Sequence, residues 1–281
     1  MSLSARTRLA AVVGRPVSHS LSPTIHNAWL QAAGIDAAYL AFAPRDEASF
    51  AVLVEGLLSS GGLGLNITAP FKSLALKWAE LNGADIEPAA MAAASVNLLV
   101  FGSERARAAS TDGLGMIAAI REQAPDLDIA AGPVAVLGAG GAGRAAVAAL
   151  KAVGATDIRV VNRTLTRAED LAGAAGPGVS AWSLGSALEA LEGSHLLINA
   201  ATGMEPPDLA SMASVGAVLD MTYRPLKTDL LAMASERGLT PVDGLAMLIA
   251  QARPSFEALF GQPTPQVDVR NLCRRAMEAG G

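Results

Sequence analysis

Gly138-Ala139-Gly140-Gly141-Ala142-Gly143 satisfies the spacing G-x-G-x-x-G. The chemistry such a run serves is pyrophosphate binding. Glycines let phosphate oxygens approach backbone N–H groups, and a following helix adds the partial positive charge of its N-terminus. The pattern is weak by itself in a chain with 28 glycines. Its flanks strengthen it, because the apolar Val134–Leu137 reads as a strand and Arg144–Val153 as a helix, the order of a dinucleotide-binding turn. The next strand ends in Val160-Val161-Asn162-Arg163-Thr164. Sites for NAD usually place a carboxylate there to grip the ribose 2′-hydroxyl. Here Asn162 is neutral, Arg163 is cationic, and Arg167 follows on the next turn. A carboxylate would repel a 2′-phosphate, whereas two guanidinium groups bind it through charge-assisted forks. The sequence therefore predicts NADP(H) as the cofactor.

Three further clusters are polar: Ser18-His19-Ser20-Leu21-Ser22-Pro23, Asn66-Ile67-Thr68-Ala69-Pro70-Phe71-Lys72, and Ser110-Thr111-Asp112-Gly113. The first two lie at the carboxyl ends of expected strands and the third just before the nucleotide-binding half. Ligands collect at such ends in open α/β sheets, so the three are expected to share one pocket facing the cofactor domain. Taken singly they admit plainer readings. Ser22, followed by Pro23, suits a helix N-cap, and Ser18 and His19 suit loop support. Lys72 suits a solvated helix start, and Asp112 a cap on a helix starting near Gly113.

Strands are expected at Ala10–Gly14, Ala38–Ala43, Gly64–Thr68 and Ser95–Phe101, alternating with helices at Ser22–Ala33, Glu47–Ser59 and from Lys72. Such alternation argues for βαβ units and a mostly parallel sheet. A second series runs through helix Leu114–Gln123, strand Val134–Leu137, helix Arg144–Val153, strand Asp157–Val161 and helix Arg167–Ala172, then strands His195–Asn199 and Ala217–Asp220. The tail from Leu245 reads as helical and as returning to the first domain. The expected fold class is α/β with two domains. Residues 1–112 and 244–281 form a mostly parallel α/β substrate domain, and residues 113–243 a Rossmann dinucleotide-binding domain.

A length of 281 residues is enough for two such cores. Hydrophobic residues make up 51% but aromatics only 4%, so packing must rest on small aliphatic side chains. The net charge of −5, without a basic block, argues against nucleic acid and anionic membranes as partners. No apolar run reaches the about 18 residues of a membrane span, and Met1 to Leu9 lacks the apolar core of a signal peptide. The single cysteine, Cys273, excludes an internal disulfide and fits a reducing, cytoplasmic compartment. His19, His26 and His195 are scattered without metal-ligand spacing, so no metal is expected.

Several motifs follow one another along nearly the whole chain. They are Gly14-Arg15-Pro16 with Ser20-x-Ser22-Pro23, Asn66 to Lys72, Val96-Asn97, Thr111-Asp112-Gly113, the glycine turn, Asn162-Arg163-Thr164, Asp220-Met221-x-Tyr223, and Gly244-Leu245-x-Met247-Leu248 with Gln251. In this order they resemble the shikimate dehydrogenase family. The resemblance implies NADPH-dependent, reversible reduction of 3-dehydroshikimate to shikimate in aromatic amino-acid precursor biosynthesis, by a monomer or homodimer whose partner is a small ring acid. It implies that Ser20 and Ser22 bind the substrate carboxylate with Tyr223 close by. Thr68, Lys72, Asn97, Asp112 and Gln251 would hold the ring hydroxyls, and Lys72 and Asp112 would be the catalytic pair, facing the nicotinamide. Met221, Gly244 and Met247 would border the nicotinamide. Asn162, Arg163, Thr164 and Arg167 would take the adenine ribose phosphate, and Gly138, Ala139, Gly140, Gly141 and Ala142 the pyrophosphate.

Physical chemistry agrees with these roles. A ketone receiving hydride becomes an alkoxide, which a lysine ammonium stabilises and protonates, while a neighbouring carboxylate orients the lysine. Thr, Asn and Gln suit several alcohols and reject rings that lack them. Three departures bear on ring preference more than on reaction type. Leu98 follows Asn97 where the family usually has threonine, Ala108-Ala109-Ser110 replaces a segment usually ending in asparagine, and Asn199-Ala200-Ala201-Thr202-Gly203-Met204 is a shortened or shifted form of the family's Asn-Ala-Thr loop. The alternatives are a paralogue acting on quinate or an amino-substituted ring acid, and a non-catalytic NADP-binding regulator. Asn162-Arg163 argues against an NAD-linked paralogue, and Lys72 with Asp112 against the regulator.

Overall fold

The structure, a computed structural model, describes residues 4–201 and 203–279. The chain divides into two compact units, Met1–Thr111 with Gln251–Gly281, and Asp112–Ala250. Among the described residues no helix is long and apolar enough to cross a membrane.

The first unit contains β1 (Arg8–Val13), α1 (Ser22–Ala33), β2 (Ala37–Phe42), α2 (Glu47–Ser59), β3 (Gly64–Ile67), α3 (Lys72–Leu81), β4 (Asp85–Ile86), α4 (Pro88–Ala93), β5 (Leu98–Phe101) and β6 (Ala106–Ala109). Its sheet has the order β2-β1-β3-β5-β6-β4. β1 pairs in parallel with β2 and β3, whereas β5 runs antiparallel to both β3 and β6. β1 is apolar throughout its second half because both faces are covered. Ala11 and Val13 join Phe50, Val54, Leu65, Ile67 and Trp78 in one core. On the other face, His26 and Trp29 of α1 pack with Tyr39 of β2 and Phe256, the His26 and Tyr39 rings stacking at 4.1 Å. Complete burial holds the His26 imidazole down at about 3, from 6.5.

Two expectations need correction here. Ser22 is not the N-cap of α1: Leu21 occupies that position without a side-chain bond, and Ser22 is already helical. The backbone N–H of Ser22 donates instead to Ser20 Oγ at 3.3 Å, so the serine two residues earlier supplies the side-chain oxygen at this turn. The strand expected over Ser95–Phe101 begins only at Leu98: the N–H groups of Ser95 and Val96 go to the Ala90 and Lys72 carbonyls of neighbouring helices instead of to a strand.

The second unit contains α5 (Asp112–Gln123), β7 (Val134–Leu137), α6 (Gly141–Ala152), β8 (Ile158–Asn162), α7 (Leu165–Ala175), β9 (Val179–Ser183), α8 (Ala187–Leu191), β10 (Leu196–Asn199), β11 (Ala217–Asp220), α9 (Asp229–Glu236) and β12 (Thr240–Asp243). Its six strands are all parallel in the order β12-β11-β10-β7-β8-β9. This is the doubly wound order, reversing at β7. Val134 and Val136 face a core with Ile120, Val147, Leu150 and Ile198. Ala135 and Leu137 face the opposite core with Leu191, Leu197, Leu230 and Leu231. A Cβ on Gly113 would lie 2.7 Å from Ala149 Cβ, so that glycine serves the close approach of α5 to α6. α10 (Gly244–Phe260) begins in this unit and from Gln251 belongs to the first, together with α11 (Val269–Ala279).

Candidate active site

In the first unit, polar groups gather where β1 and β3 end. Thr68 N–H donates to Val13 C=O at 2.8 Å and Arg15 N–H to Ala69 C=O at 2.9 Å. A Cβ on Gly14 would overlap Thr68 Cγ2, so glycine at 14 is what brings the Thr68 side chain against β1. The loop after β1 folds back through Ser20 N–H to Val17 C=O at 2.9 Å and leads Ser20 and Ser22 into α1. Lys72 opens α3, and its carbonyl accepts from Val96 N–H at 3.1 Å, which ties the start of that helix to the segment carrying Asn97.

Asn97 lies at the centre of a buried amide and hydroxyl network. Its Oδ1 accepts from Thr111 N–H at 2.8 Å, and its Nδ2 donates to Thr111 Oγ1 at 3.0 Å and to Gln251 Oε1 at 3.4 Å. Thr111 Oγ1 donates to Gln251 Oε1 at 3.1 Å. Tyr39 O–H donates to Asn66 Oδ1 at 2.8 Å, and Asn66 Nδ2 donates to Ser255 Oγ at 3.0 Å and Asn97 C=O at 3.2 Å. Burial pushes the Tyr39 phenol well above its usual range, so it stays a donor. The structure thus brings together Asn97 and Gln251, both singled out in the sequence, and adds Tyr39 and Ser255, which were not. Ser255 follows Gln251 by one helical turn, the one local signal that could have found it.

In the second unit, the glycine turn leaves β7 at Gly138, whose φ is 103°. A Cβ on Gly143 would overlap the Gly138 carbonyl oxygen, so α6 packs directly on the turn. Gly140 differs. Its φ is −80°, and a Cβ there would meet nothing within 4 Å. Neither backbone strain nor the protein's own packing asks for glycine at 140, which leaves open space at the N-terminus of α6. Ala139 N–H donates to Asn162 Oδ1 at 3.2 Å, and Asn162 Nδ2 donates to Thr164 C=O at 2.8 Å. Asn162 therefore ties the turn to the loop after β8, where Arg163, Thr164 and Arg167 are exposed.

The ends of β10 and β11 carry a second buried network. Asn199 Nδ2 donates to Asp220 Oδ1 at 3.0 Å, and Thr228 Oγ1 donates to Asp220 Oδ2 at 2.7 Å. These groups flank a cavity of about 160 Å³ lined also by Leu137, Ala201 and Thr222. Thr202, part of the departing loop, lies outside the described residues. A Cβ on Gly244 would lie 2.7 Å from the Thr222 carbonyl oxygen, which brings the start of α10 against the end of β11. Met247 is buried in the core that Met221 packs against, so the three residues expected at the nicotinamide do gather. Tyr223 is half-buried, and Asp112, at the start of α5, is 7% exposed.

A parallel sheet of this order, with a glycine turn after its central strand, defines a Rossmann dinucleotide-binding unit. Residues 12–99 match the shikimate dehydrogenase substrate binding domain, and residues 120–217 match shikimate / quinate 5-dehydrogenase. The shikimate dehydrogenase (NADP(+)) of Caulobacter vibrioides is 45% identical over 277 residues, 96% of this chain and 95% of that protein. Shikimate 5-dehydrogenase from Thermus thermophilus, solved in complex with NADP(H) and shikimate, superposes with a TM-score of 0.83 at 31% identity, covering 96% of this chain and 100% of that one. Quinate dehydrogenase from Corynebacterium glutamicum, in complex with NAD, gives a TM-score of 0.84 at 25% identity over 97% and 99% of the two chains. The chain belongs to the shikimate dehydrogenase family.

Proposed function

We propose that this chain catalyses the reversible NADPH-linked reduction of 3-dehydroshikimate to shikimate, using Lys72 and Asp112. The observation that carries the reading lies in the first unit. A lysine opens α3, tied through its carbonyl to the segment bearing Asn97, and Asn97 is joined to Thr111 and Gln251 in an array suited to alcohols. NADPH, when bound, supplies the hydride. The Gly140 cradle fits its pyrophosphate, and Arg163 with Arg167 suits its 2′-phosphate. The Lys72 ammonium donates to the substrate carbonyl oxygen, gives up its proton as the alkoxide forms, and is reprotonated from water. Asp112 keeps that ammonium charged and aimed. Ser20 and Ser22 take the ring carboxylate as neutral donors, with Tyr223 beside them. Thr68, Asn97 and Gln251 take ring hydroxyls, and Met221, Gly244 and Met247 border the nicotinamide. A cytoplasmic location belongs to the same reading and is supported by the single cysteine.

Initial rates for shikimate and quinate, each with NADP⁺ and NAD⁺, test the proposal. Shikimate with NADP⁺ is expected to exceed every other pair in kcat/KM by at least about tenfold, roughly the worth of one charged contact. Preference for quinate with NAD⁺ would reverse the substrate assignment, and cofactor binding without turnover would make the chain a regulator.

A further inference from the structure

We infer that Thr111 is a positioning residue that fixes the hydrogen-bond polarity of Gln251, so that Gln251 reads its ring substituent only as an acceptor. The inference rests on the ring-acid reading above and deepens it. A backbone N–H can only donate. That of Thr111 meets Asn97 at 2.8 Å, so the atom there is the amide oxygen. Asn97 must then turn Nδ2 the other way, toward Thr111 Oγ1 and Gln251. The Thr111 hydroxyl accepts from that Nδ2, and for its own proton Gln251 Oε1 at 3.1 Å is the nearest acceptor, ahead of Asn97 Oδ1 at 3.3 Å and Ser255 Oγ at 3.5 Å. Facing two donors, Gln251 has to present Oε1 inward. The flipped amide would set one NH₂ group against another.

The surroundings hold this arrangement in place. The Asn97 carbonyl, which can only accept, takes Ile67 N–H at 2.8 Å and Asn66 Nδ2 at 3.2 Å. That orients Asn66, and Tyr39 O–H closes its other side at Oδ1. Ser255 Oγ accepts from Asn66 and donates to the Gln251 carbonyl at 3.1 Å, pinning the helical turn that carries Gln251. Nε2 is thus the end of the Gln251 carboxamide turned away from Thr111. A ring hydroxyl or ketone oxygen can accept from it, but a ring ammonium, which is donor-only, leaves donor against donor. The assigned specificity is for hydroxylated over amino-substituted ring acids at the position that Gln251 contacts.

The test is shikimate oxidation with NADP⁺ by wild type, Thr111→Val, Thr111→Ser, Gln251→Ala and the Thr111→Val/Gln251→Ala double variant. Each single loss is expected to raise KM about tenfold with kcat within about threefold, Thr111→Ser to stay within about threefold of wild type, and the double variant to be little worse than either single. Losses that multiply to about a hundredfold in the double variant, or no rescue by serine, overturn the assignment. A second arm avoids dependence on how Thr111→Val folds. Gln251→Glu keeps an inward oxygen for Thr111 and Asn97 and turns a carboxylate outward. Against a panel of shikimate analogues with each ring hydroxyl in turn replaced by an amine, one amine-to-hydroxyl ratio of kcat/KM is expected to rise at least about tenfold over wild type; unchanged ratios throughout overturn the assignment. A wild type that fails to oxidise shikimate refutes the functional reading and this assignment with it. An active wild type with additive losses refutes this assignment alone.

Discussion

Gly140 and Gln251 mark two sites built from different materials. Around Gly140 the proposed binding surface is backbone: a turn after β7, the first N–H groups of α6, and space where a side chain is missing. Around Gln251 it is made of side chains from five separate stretches, Tyr39, Asn66, Asn97, Thr111, and Gln251 with Ser255, locked by a web of shared donors and acceptors. A pyrophosphate is the same in every dinucleotide, so a backbone cradle suffices for it. A polyhydroxylated ring is told from its relatives by the pattern of its hydroxyls, and only directed side chains can read that pattern.

The sharpest way to separate the two is to remove the group that does the chemistry. Lys72→Ala is expected to lower kcat by about 10²- to 10⁴-fold while shikimate KM changes far less; near-normal turnover in steady-state assays would reject Lys72 as the proton donor. Next in size is a pair of substitutions within the glycine turn. Gly143→Ala forces a methyl against the Gly138 carbonyl and is expected to destabilise the protein by about 1–3 kcal/mol. Gly140→Ala meets nothing in the protein. It is expected to leave the melting temperature unchanged while weakening NADP⁺ about tenfold by calorimetry, near the worth of one charged hydrogen bond. If both variants behaved alike, the backbone cradle would be only a fold device.

The same contrast explains what could be seen in the sequence. Val134–Leu137, Glu47–Ser59 and Ala217–Asp220 coincide with β7, α2 and β11, because each is a run with clear stops. The glycine turn was legible because its constraints lie within six neighbouring residues. β6 was missed because Ala106-Arg107-Ala108-Ala109 carries no strand signal of its own; pairing with β5 makes it a strand. β12 was hidden by Pro241, which the sheet tolerates at its edge. The bond from Asn66 to Ser255 spans 189 positions, and nothing local announces it. Asn97 and Gln251 were found through the family resemblance, whereas Tyr39 and Ser255, which hold their neighbours in place, required coordinates.

A smaller effect tests the cofactor side. Arg163→Ala is expected to weaken NADPH about tenfold with little change for NADH, since only the former carries a phosphate for the guanidinium to grip. Equal loss for both, measured by fluorescence titration, would make Arg163 part of the scaffold that Asn162 organises.

The smallest effect concerns the packing beneath the network of Asn66, Asn97 and Gln251. His26 stacks on Tyr39, and burial lowers its pKa to about 3. In the unfolded chain the same group titrates near 6.5. Below that pH the unfolded state therefore takes up a proton that the native state refuses, and stability falls as pH drops toward 3. The slope from this group is at most about 1.4 kcal/mol per pH unit, with no contribution above the unfolded pKa. Among the described residues, the apolar clusters on the two faces of β7 are made of aliphatic and methionine side chains, with Trp182 packed at the margin. Hydrogen exchange, corrected for intrinsic rates, should then show α1 and β2 losing protection between about pH 7 and about pH 5 more than α6 and β8 do. His26→Phe should flatten the difference, because it keeps an aromatic ring on Tyr39 and removes the proton site. If acid affected both units equally in wild type and variant, carboxylates elsewhere would govern acid unfolding, and the network's support would be indifferent to pH.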